Sequence, residues 1–313
     1  MSSASNAVHW KPSSPAWKRR AIRSWPGKNR PRKDSYKERG LAFSKSDALV
    51  RYLRTLSPGA VAFSGGVDST LLLYLAREAW GDGVTAVTFL SPLSPEEERT
   101  RIQGLIARFK VRHFWLKSFE YRDPDFQKNP PDRCYYCKKH RIGLARERLR
   151  RRRIPHLLDG TNADDLNAYR PGIRAAREGG IISPFAEFHW TKKEIRTVSR
   201  TLGLPTWDLP SSPCLATRVA YGQPITLSLL RRLGRGEKLL HDRGFKETRL
   251  RLHGNLLRLE IPPDQFPRIL DTRKRKALVR DLSALGFPYL TLDLMGLRSG
   301  SMDEVLSPKK RKG

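Results

Sequence analysis

Short apolar runs alternate with longer amphipathic stretches through the first two thirds of the chain. Apolar runs at residues 59–63, 84–89, 112–116 and 154–159 each predict a buried strand. Helical patterns lie at residues 44–56, after residue 70, after residue 94, at 140–153 and at 192–202. Strands that alternate with helices predict an α/β fold with a doubly wound parallel sheet, which binds ligands at the carboxyl ends of its strands.

A different pattern follows residue 205. Residues 225–243 and 267–286 are typical of helices, whereas residues 248–252, 256–261 and 289–294 are typical of strands. The turn between the first two of these strands predicts an antiparallel hairpin in a smaller α+β domain. The sequence therefore predicts a disordered basic extension at residues 1–43, a parallel-sheet domain at 44–205, an α+β domain at 206–306 and a basic tail at 307–313.

A glycine pair between small hydroxyl residues follows the first predicted strand, in the run Ser-Gly-Gly-Val-Asp-Ser-Thr. Glycine lets the backbone approach a ligand closely, and the N-terminus of the following helix offers N–H groups to a phosphate. The run does not follow the Walker pattern GxxxxGK[ST]. It predicts either an ATP-binding loop or a simple turn that opens a helix, and we favour the loop. Its predicted ATP-binding residues are Ser64, Gly65, Gly66, Asp68 and Ser69. Asp68 is also the predicted Mg²⁺ ligand, because magnesium prefers one or two carboxylates beside phosphate oxygens.

The predicted strand at residues 154–159 also ends in a polar run, Asp-Gly-Thr-Asn-Ala-Asp-Asp. Parallel strands direct their carboxyl ends to one edge of a sheet, so this run is expected to face the first one. Its carboxylates and amides suit magnesium and a nucleotide. Gly160, Thr161 and Asn162 are the predicted ATP-binding residues here.

The chain is strongly basic, with 61 Lys and Arg against 31 Asp and Glu among 313 residues. Residues 1–43 carry a net charge of +9 and the last seven residues carry +4, so residues 44–306 keep +17. Such a charge indicates an anionic small molecule or a nucleic acid as partner. No apolar run approaches the length of about 20 residues that spans a membrane, so no membrane association is predicted.

Three cysteines, Cys134, Cys137 and Cys214, are too few for a disulfide framework, which predicts a reducing, cytoplasmic location. The CxxC pair is compatible with a zinc site completed by His140 or His189, a redox pair or an iron–sulfur site. Three cysteines without a fourth suit a [4Fe-4S] cluster that keeps one iron open. Three unrelated thiols are the remaining alternative.

Six motifs occur together in one order: SGGVDST, NPPDRCYYCKKH, LLDGTNADD, YRPGIRAAREGGIISPF, SSPCLATRVAYG and LRSGSM. Their combination resembles the ATP-dependent sulfur transferases of nickel-pincer nucleotide biosynthesis, which mature lactate racemase and belong to the PP-loop ATP pyrophosphatases. The resemblance extends over residues 44–304. It implies that ATP adenylates the carboxylates of pyridinium-3,5-biscarboxylic acid mononucleotide with release of pyrophosphate. A sulfur nucleophile then displaces AMP to form thiocarboxylates.

The resemblance implies one of two sulfur sources. In sacrificial members of the family, the cysteine that matches Cys214 donates its own sulfur and becomes dehydroalanine. Members with three cysteines are similar to this chain and bind a [4Fe-4S] cluster. We therefore expect Cys134, Cys137 and Cys214 to be catalytic residues and cluster ligands, with sulfide on the cluster as the sulfur that is transferred.

Arginines are the predicted contacts for the phosphate of the mononucleotide. Arg249 and Arg251 alternate on one predicted strand, so both side chains lie on one face and could clamp a phosphate, with solvated strand surface as the alternative. Further predicted substrate contacts are Arg298 in LRSGSM, Arg170 in YRPGIR and Arg218 in SSPCLATR. Glu237 is a weaker candidate, for a contact with a metal or with a polar group.

Two other functions remain open. A PP-loop tRNA thiolase would use the basic body as a footprint on the RNA backbone. A non-catalytic RNA-binding protein would use the arginine-rich residues 146–153, which more simply form the solvated end of a helix. We expect the small-molecule nucleotide as the main partner, a homo-oligomer, and weak nucleic-acid binding at most.

Overall fold

The fold was analysed in a computed structural model, which describes residues 35–92, 94, 96–210, 213–298 and 300–306. Most of the predicted disordered extension, residues 1–34, and the basic tail at 307–313 lie outside the described residues.

A four-stranded parallel sheet forms the centre of the first half of the chain. Its strands are β1 (Gly59–Ala62), β2 (Val84–Leu90), β3 (Arg112–Lys117) and β4 (His156–Leu158), in the order β3-β2-β1-β4. All three strand pairs are parallel, which confirms the predicted α/β fold class. Because β1 lies between β2 and β4, the two polar runs that follow β1 and β4 leave the sheet at adjacent positions.

Helices connect and cover these strands. In chain order they are α1 (Ser35–Thr55), α2 (Val67–Trp80), α3 (Glu96–Phe109), α4 (Pro124–Gln127), α5 (Arg133–Arg150), α6 (Ala163–Leu166), α7 (Pro171–Glu178), α8 (Pro184–Glu187), α9 (Lys192–Thr201), α10 (Leu227–Asp242), α11 (Phe266–Leu270) and α12 (Thr272–Ala284). The main core packs α1, α2 and α9 on one face of the sheet through fully buried side chains such as Leu53, Leu72 and Ile195.

Two helices begin well before the residues that the apolar pattern predicts. Helix α1 starts at Ser35 rather than at residue 44, so residues 35–43 of the predicted disordered extension are helical. Helix α5 starts at Arg133 rather than at residue 140 and therefore contains the CxxC pair. The apolar residues of both added segments stand in short runs, Leu41-Ala42-Phe43 and Cys134-Tyr135-Tyr136-Cys137, so they do not show the three- and four-residue spacing by which a helix is predicted.

A three-stranded sheet organises the second half. It contains β5 (Arg249–His253), β6 (Leu256–Glu260) and β7 (Tyr289–Leu292), in the order β5-β6-β7. The predicted hairpin of β5 and β6 is confirmed as antiparallel, whereas β7 joins β6 in parallel and makes the sheet mixed. The helix predicted at residues 267–286 is two helices, because Asp271 leaves helical geometry and caps the N-terminus of α12.

The segment before α5 packs with the second half of the chain. Phe126 of α4 is only 1% exposed and lies in the same apolar core as Leu215, Leu230 and Leu250. The predicted boundary between residues 205 and 206 stays a prediction, but residues near 126 contribute to the core that follows it.

Asn129 joins the start of the CxxC segment to the loop that follows Cys214. Its buried amide nitrogen donates hydrogen bonds to the carbonyls of Val219, Ala220 and Gln223 at 3.3, 2.7 and 3.1 Å. Its backbone has a positive φ of 52°, which asparagine tolerates better than most residues. This single side chain therefore holds two segments that are 90 residues apart in the sequence.

We predict that Asn129→Ala lowers the free energy of unfolding by about 3 kcal/mol, since it removes three buried hydrogen bonds and strains the backbone. Urea unfolding followed by tryptophan fluorescence measures the change. Asn167→Ala is the control, because Asn167 is exposed and makes one bond of 3.5 Å; we expect a change within about 0.5 kcal/mol. Equal effects of the two substitutions would contradict the role of Asn129.

None of the described helices is long and apolar enough to cross a membrane.

Candidate functional site

The loop after β1 has the geometry of an anion-binding turn at a helix N-terminus. Gly65 has a φ of +70°, and a Cβ atom there would lie 2.8 Å from Ile102, so the position requires glycine. The hydroxyls of Ser64 and Ser69 lie 3.1 Å apart and bond within the loop. The 14-residue helix α2 begins at Val67, and no described side chain caps its N-terminus with a hydrogen bond. Its first N–H groups and the hydroxyls are therefore available to a phosphate.

The loop after β4 contacts this turn directly. A Cβ atom on Gly160 would lie 3.0 Å from the Cβ of Asp68 and 3.1 Å from the amide nitrogen of Ser69. The Asn162 amide donates to Oδ1 of Asp68 at 3.3 Å, and Thr161 follows Gly160 in the same loop. The structure thus brings together both predicted ATP-binding runs, as the strand order requires.

Lys192 is a residue of this site that the sequence analysis did not identify. Its ammonium group forms an ion pair with Asp68, 124 residues earlier, and its backbone N–H donates to Asp164 at 2.8 Å. Lys192 is the first residue of α9, where a positive charge is unfavourable because the helix dipole is also positive there. A lysine at the first position of a predicted helix indicates an anionic partner, and this was the feature of the sequence from which Lys192 could have been identified.

Lys192 therefore supplies a cation at a loop that lacks the Walker lysine. We predict that Lys192→Met weakens ATP binding, because the loss of one charged hydrogen bond lowers the affinity roughly tenfold to a hundredfold. Isothermal titration calorimetry with ATP and Mg²⁺ measures the change. The exposed neighbour Lys193, substituted by Met, is the control and should change affinity less than about twofold. A similar loss in both variants would indicate only a general charge effect.

The acidic residues after β4 are mostly engaged by the protein. Asp159 accepts from Lys138 at 2.5 Å and from Ser183 at 2.7 Å. Burial alone would raise the pKa of Asp159, but Lys138 and these hydrogen bonds hold it below its usual range. Asp164 accepts the backbone N–H of Lys192, and Asp165 accepts that of Asn162. Asp68, the predicted Mg²⁺ ligand, also has protein partners, Lys192 and Asn162, and its role as the metal ligand stays a prediction.

The structure brings the three cysteines into one electrostatic neighbourhood. Cys134 and Cys137 lie in the first turns of α5, and Cys214 immediately precedes the short helical turn Leu215–Arg218. Burial raises the pKa of the Cys137 thiol to about 12, with Arg141 opposing the increase and Glu120, Cys214 and Cys134 contributing to it. Cys214 raises the pKa of both CxxC thiols, and Cys137 and Cys214 pack against the same apolar core.

Cys134 is exposed to solvent as a residue. The protein atoms packed around its thiol raise the pKa of that thiol, and the nearby Cys214 raises it as well. Arg133 and Arg170 oppose the increase and favour the thiolate, as the basic surroundings predict.

The donor set fits an iron–sulfur cluster in chemical type but does not form a ready-made metal site. Three thiols with nearby arginines are suitable ligands, because thiolates bind iron and arginines offset their charge. Within the residues that the structure describes, no group of three or more His, Cys, Asp and Glu side chains is arranged to hold a metal ion. That finding gives no support to a zinc site completed by His140 or His189.

Arg218 anchors the loop that carries Cys214. It is 6% exposed and pairs with both carboxylate oxygens of Glu237, at 2.6 and 3.1 Å. It also donates to the carbonyl of Pro213 at 3.3 Å, and Glu237 accepts the N–H of Leu250 at 3.0 Å. Arg218 therefore links the loop that carries Cys214 to α10, and Glu237 extends this link to β5.

Arg249 and Arg251 lie on one face of β5 as predicted, but Arg251 is not on solvated surface. It is 3% exposed, pairs with the fully buried Glu260 at 3.2 Å and donates to the carbonyl of Thr217 at 2.6 Å. Burial, together with the charges of Arg218 and Arg249, lowers the pKa of Arg251 to about 10, although Glu260 opposes the decrease.

Arg249 is the member of this arginine cluster with the weakest internal pairing. Its guanidinium donates to the carbonyl of Arg298 at 3.1 Å. Burial and then the charge of Arg218 lower the pKa of Arg249. Arg218 and Arg251 are already paired with Glu237 and Glu260, so the positive charge that could act on a phosphate belongs mainly to Arg249.

The other two predicted arginines are engaged elsewhere. Arg298 pairs with Glu304 at 2.7 Å and with Asp293 at 3.0 Å, and these hydrogen bonds raise its pKa above the usual range. Arg170 is exposed and pairs with Asp165 at 2.9 Å, close enough to Cys134 to favour the thiolate. Substrate contact stays a prediction for both residues.

Comparison with known proteins identifies relatives that cover most of the chain. No family model matches. The chain is 38% identical over 264 residues to an uncharacterized protein of Synechocystis sp., with 84% of this chain and 98% of that protein aligned. It is 34% identical over 265 residues to pyridinium-3,5-bisthiocarboxylic acid mononucleotide synthase of Lactiplantibacillus plantarum, with 84% and 95% aligned. A weaker similarity, 27% identity over 207 residues, relates 58% of the chain to 38% of a glutamine-hydrolyzing GMP synthase of Aeropyrum pernix.

Proposed function

Because the chain belongs to the family of pyridinium-3,5-bisthiocarboxylic acid mononucleotide synthases, we propose that it is an ATP-dependent sulfur transferase of nickel-pincer nucleotide biosynthesis. The proposed substrate is pyridinium-3,5-biscarboxylic acid mononucleotide, whose carboxylates become thiocarboxylates. The observation that carries the proposal is that Cys214 packs against the same apolar core as Cys137, in a loop that Arg218 of the arginine cluster anchors.

The nucleotide loop would perform the first step. The N–H groups at the start of α2 and the hydroxyls of Ser64 and Ser69 would hold the phosphates, with Lys192 as an additional cation. Asp68 would hold Mg²⁺, which neutralises charge on the leaving pyrophosphate. A carboxylate oxygen of the substrate attacks the α-phosphorus of ATP, the bond to pyrophosphate breaks, and an acyl-adenylate results.

The cysteine region would perform the second step. A sulfur nucleophile attacks the activated carbonyl carbon, the carbon–sulfur bond forms, and AMP leaves with the electron pair of the broken carbon–oxygen bond. Arg249, with Arg218 and Arg251 behind it, would hold the phosphate of the substrate, because that anion offsets their mutual repulsion.

We propose Cys134, Cys137 and Cys214 as the ligands of a [4Fe-4S] cluster. When bound, such a cluster supplies an iron that the protein does not ligate and that can carry the sulfur to be transferred. The contribution of the chain itself is to hold Cys214 through Arg218 and the CxxC segment through Asn129.

Anaerobic incubation of the purified chain with ATP, Mg²⁺, sulfide and the biscarboxylic mononucleotide tests the proposal. We expect mass spectrometry to detect oxygen replaced by sulfur in the mononucleotide, with one AMP and one pyrophosphate per sulfur. RNA should bind only weakly and with a steep salt dependence. Sulfur found in a particular tRNA that binds tightly and resists salt would instead establish a tRNA thiolase.

A further inference from the structure

Arg133 is a buried arginine whose charge no described carboxylate neutralises through a hydrogen bond. The residue is 3% exposed, and its Nε and Nη1 atoms have no hydrogen-bond acceptor among the residues that the structure describes. The guanidinium lies over the ring of Tyr221, 4.5 Å from the ring centroid. An arginine removed from water and left without acceptors is unfavourable, so a purely structural role does not explain it.

The nearby carboxylates have other partners. Asp303 accepts the hydroxyl of Tyr221 at 2.6 Å, and Asp132 accepts from Arg174 at 3.3 Å. Stacking on an aromatic ring thus fixes the orientation of Arg133 without using its N–H groups. The group is held in place and keeps donors for an additional anion.

The position of Arg133 is also favourable for an anion. It is the first residue of α5, an 18-residue helix, and Asp132 at the N-cap makes no side-chain capping bond. The positive end of the helix dipole and the guanidinium therefore act at one place. The next residue is the exposed Cys134, and the charge of Arg133 opposes the increase in the pKa values of the Cys134 thiol and the Tyr169 hydroxyl, so both groups lie near the guanidinium.

We propose that Arg133, with the N-terminus of α5, is a binding site for a carboxylate carried by an aromatic ring, held beside Cys134. Tyr221 and Tyr169 provide aromatic surface next to the charge, and a guanidinium hydrogen-bonds carboxylate oxygens well. The identity of the ligand rests on the proposed function: the carboxylate is one of the two on the pyridinium ring, oriented toward the thiols. The phosphate of the same substrate would lie at Arg249.

Binding of pyridine-3,5-dicarboxylate to the full chain tests the site without any turnover. Isothermal titration calorimetry compares the wild type with Arg133→Gln, Arg133→Lys and the control Arg150→Gln, an exposed arginine near the other end of α5. We expect Arg133→Gln to weaken binding at least tenfold, Arg133→Lys to weaken it less, and Arg150→Gln to change it less than twofold. Sodium hydrosulfide, added as a competitor, should not displace the dicarboxylate.

Urea unfolding of the same variants separates ligand binding from a structural role. A buried charge without acceptors is costly, so the unfolding midpoint of Arg133→Gln should equal or exceed that of the wild type. A lower midpoint with unchanged dicarboxylate affinity would show that Arg133 is structural and overturn the inference. Displacement of the dicarboxylate by hydrosulfide would also overturn it, because the site would then select sulfide.

Failure of this inference and failure of the proposed function give different results. If Arg133→Gln binds the dicarboxylate like the wild type while the wild type still makes thiocarboxylate, only the carboxylate site is wrong. If the wild type makes no thiocarboxylate yet Arg133→Gln loses the dicarboxylate, the site stands and the proposed reaction fails.

Discussion

Asp68→Asn should lower the rate of pyrophosphate release by at least about a hundredfold while leaving the protein folded. Asp68 is the carboxylate at the contact of the two nucleotide loops, where it pairs with Lys192 and accepts a hydrogen bond from the buried amide of Asn162. Asparagine keeps the size of the side chain but removes the charge that would bind Mg²⁺ opposite the leaving pyrophosphate. A coupled assay of pyrophosphate and AMP, with ATP and the biscarboxylic mononucleotide, measures the loss.

Asp82→Asn is the matched control for this experiment. Asp82 lies just beyond the other end of α2 and forms an exposed pair with Arg77 at 3.1 Å. Exposed pairs contribute about 0–1 kcal/mol to stability, so this variant should fold and retain its rate. Circular dichroism shows whether both variants are folded. An unchanged pyrophosphate release rate in folded Asp68→Asn would mean that another group holds the metal.

Substitution of any one of Cys134, Cys137 and Cys214 by Ala should abolish repeated turnover and reduce bound iron from about four atoms per chain toward zero. The reason is that the three cysteines are the proposed ligands of one cluster, so the loss of any one of them leaves the cluster incompletely bound. Iron and sulfide analysis with visible absorption, after anaerobic reconstitution, measures cluster content independently of activity. The three single variants serve as controls for one another, since the chain contains three cysteines.

A sacrificial mechanism gives a different pattern. Cys134→Ala and Cys137→Ala would then retain activity, and Cys214 alone would be essential. Mass spectrometry after reaction would find Cys214 converted to dehydroalanine, with at most one sulfur delivered per chain. That result in an iron-replete sample would reject the cluster and leave the remainder of the proposed function intact.

Much of the nucleotide site could be predicted because its determinants are local. The run from Ser64 to Thr70 combines an apolar strand, a glycine that must take a positive φ and a helix start, and each of these depends on neighbouring residues. The contact between the loops after β1 and β4 also followed from sequence, since the carboxyl ends of adjacent parallel strands share one edge.

The arginine predictions were less complete. Alternation along β5 correctly placed Arg249 and Arg251 on one face, but it carried no information about what covers that face. Glu260 on the neighbouring strand neutralises Arg251 in the interior, whereas Arg249 keeps only a carbonyl as partner. A strand pattern gives the direction of a side chain, and the charge of its neighbours depends on pairing between distant segments.

The sequence by itself determined the α/β order of elements, the anion-binding turn and the residue types available for sulfur chemistry, because periodicity and backbone preference act over a few residues. The tertiary structure alone decided which distant groups meet. It brought Lys192 to Asp68, used Asn129 to join the CxxC segment to the loop after Cys214, and buried two nitrogens of Arg133 that find no acceptor among the described residues. Such contacts depend on how whole helices and strands pack. Electrostatic and hydrogen-bond energies depend on the distance between atoms in space and not on their separation in the chain.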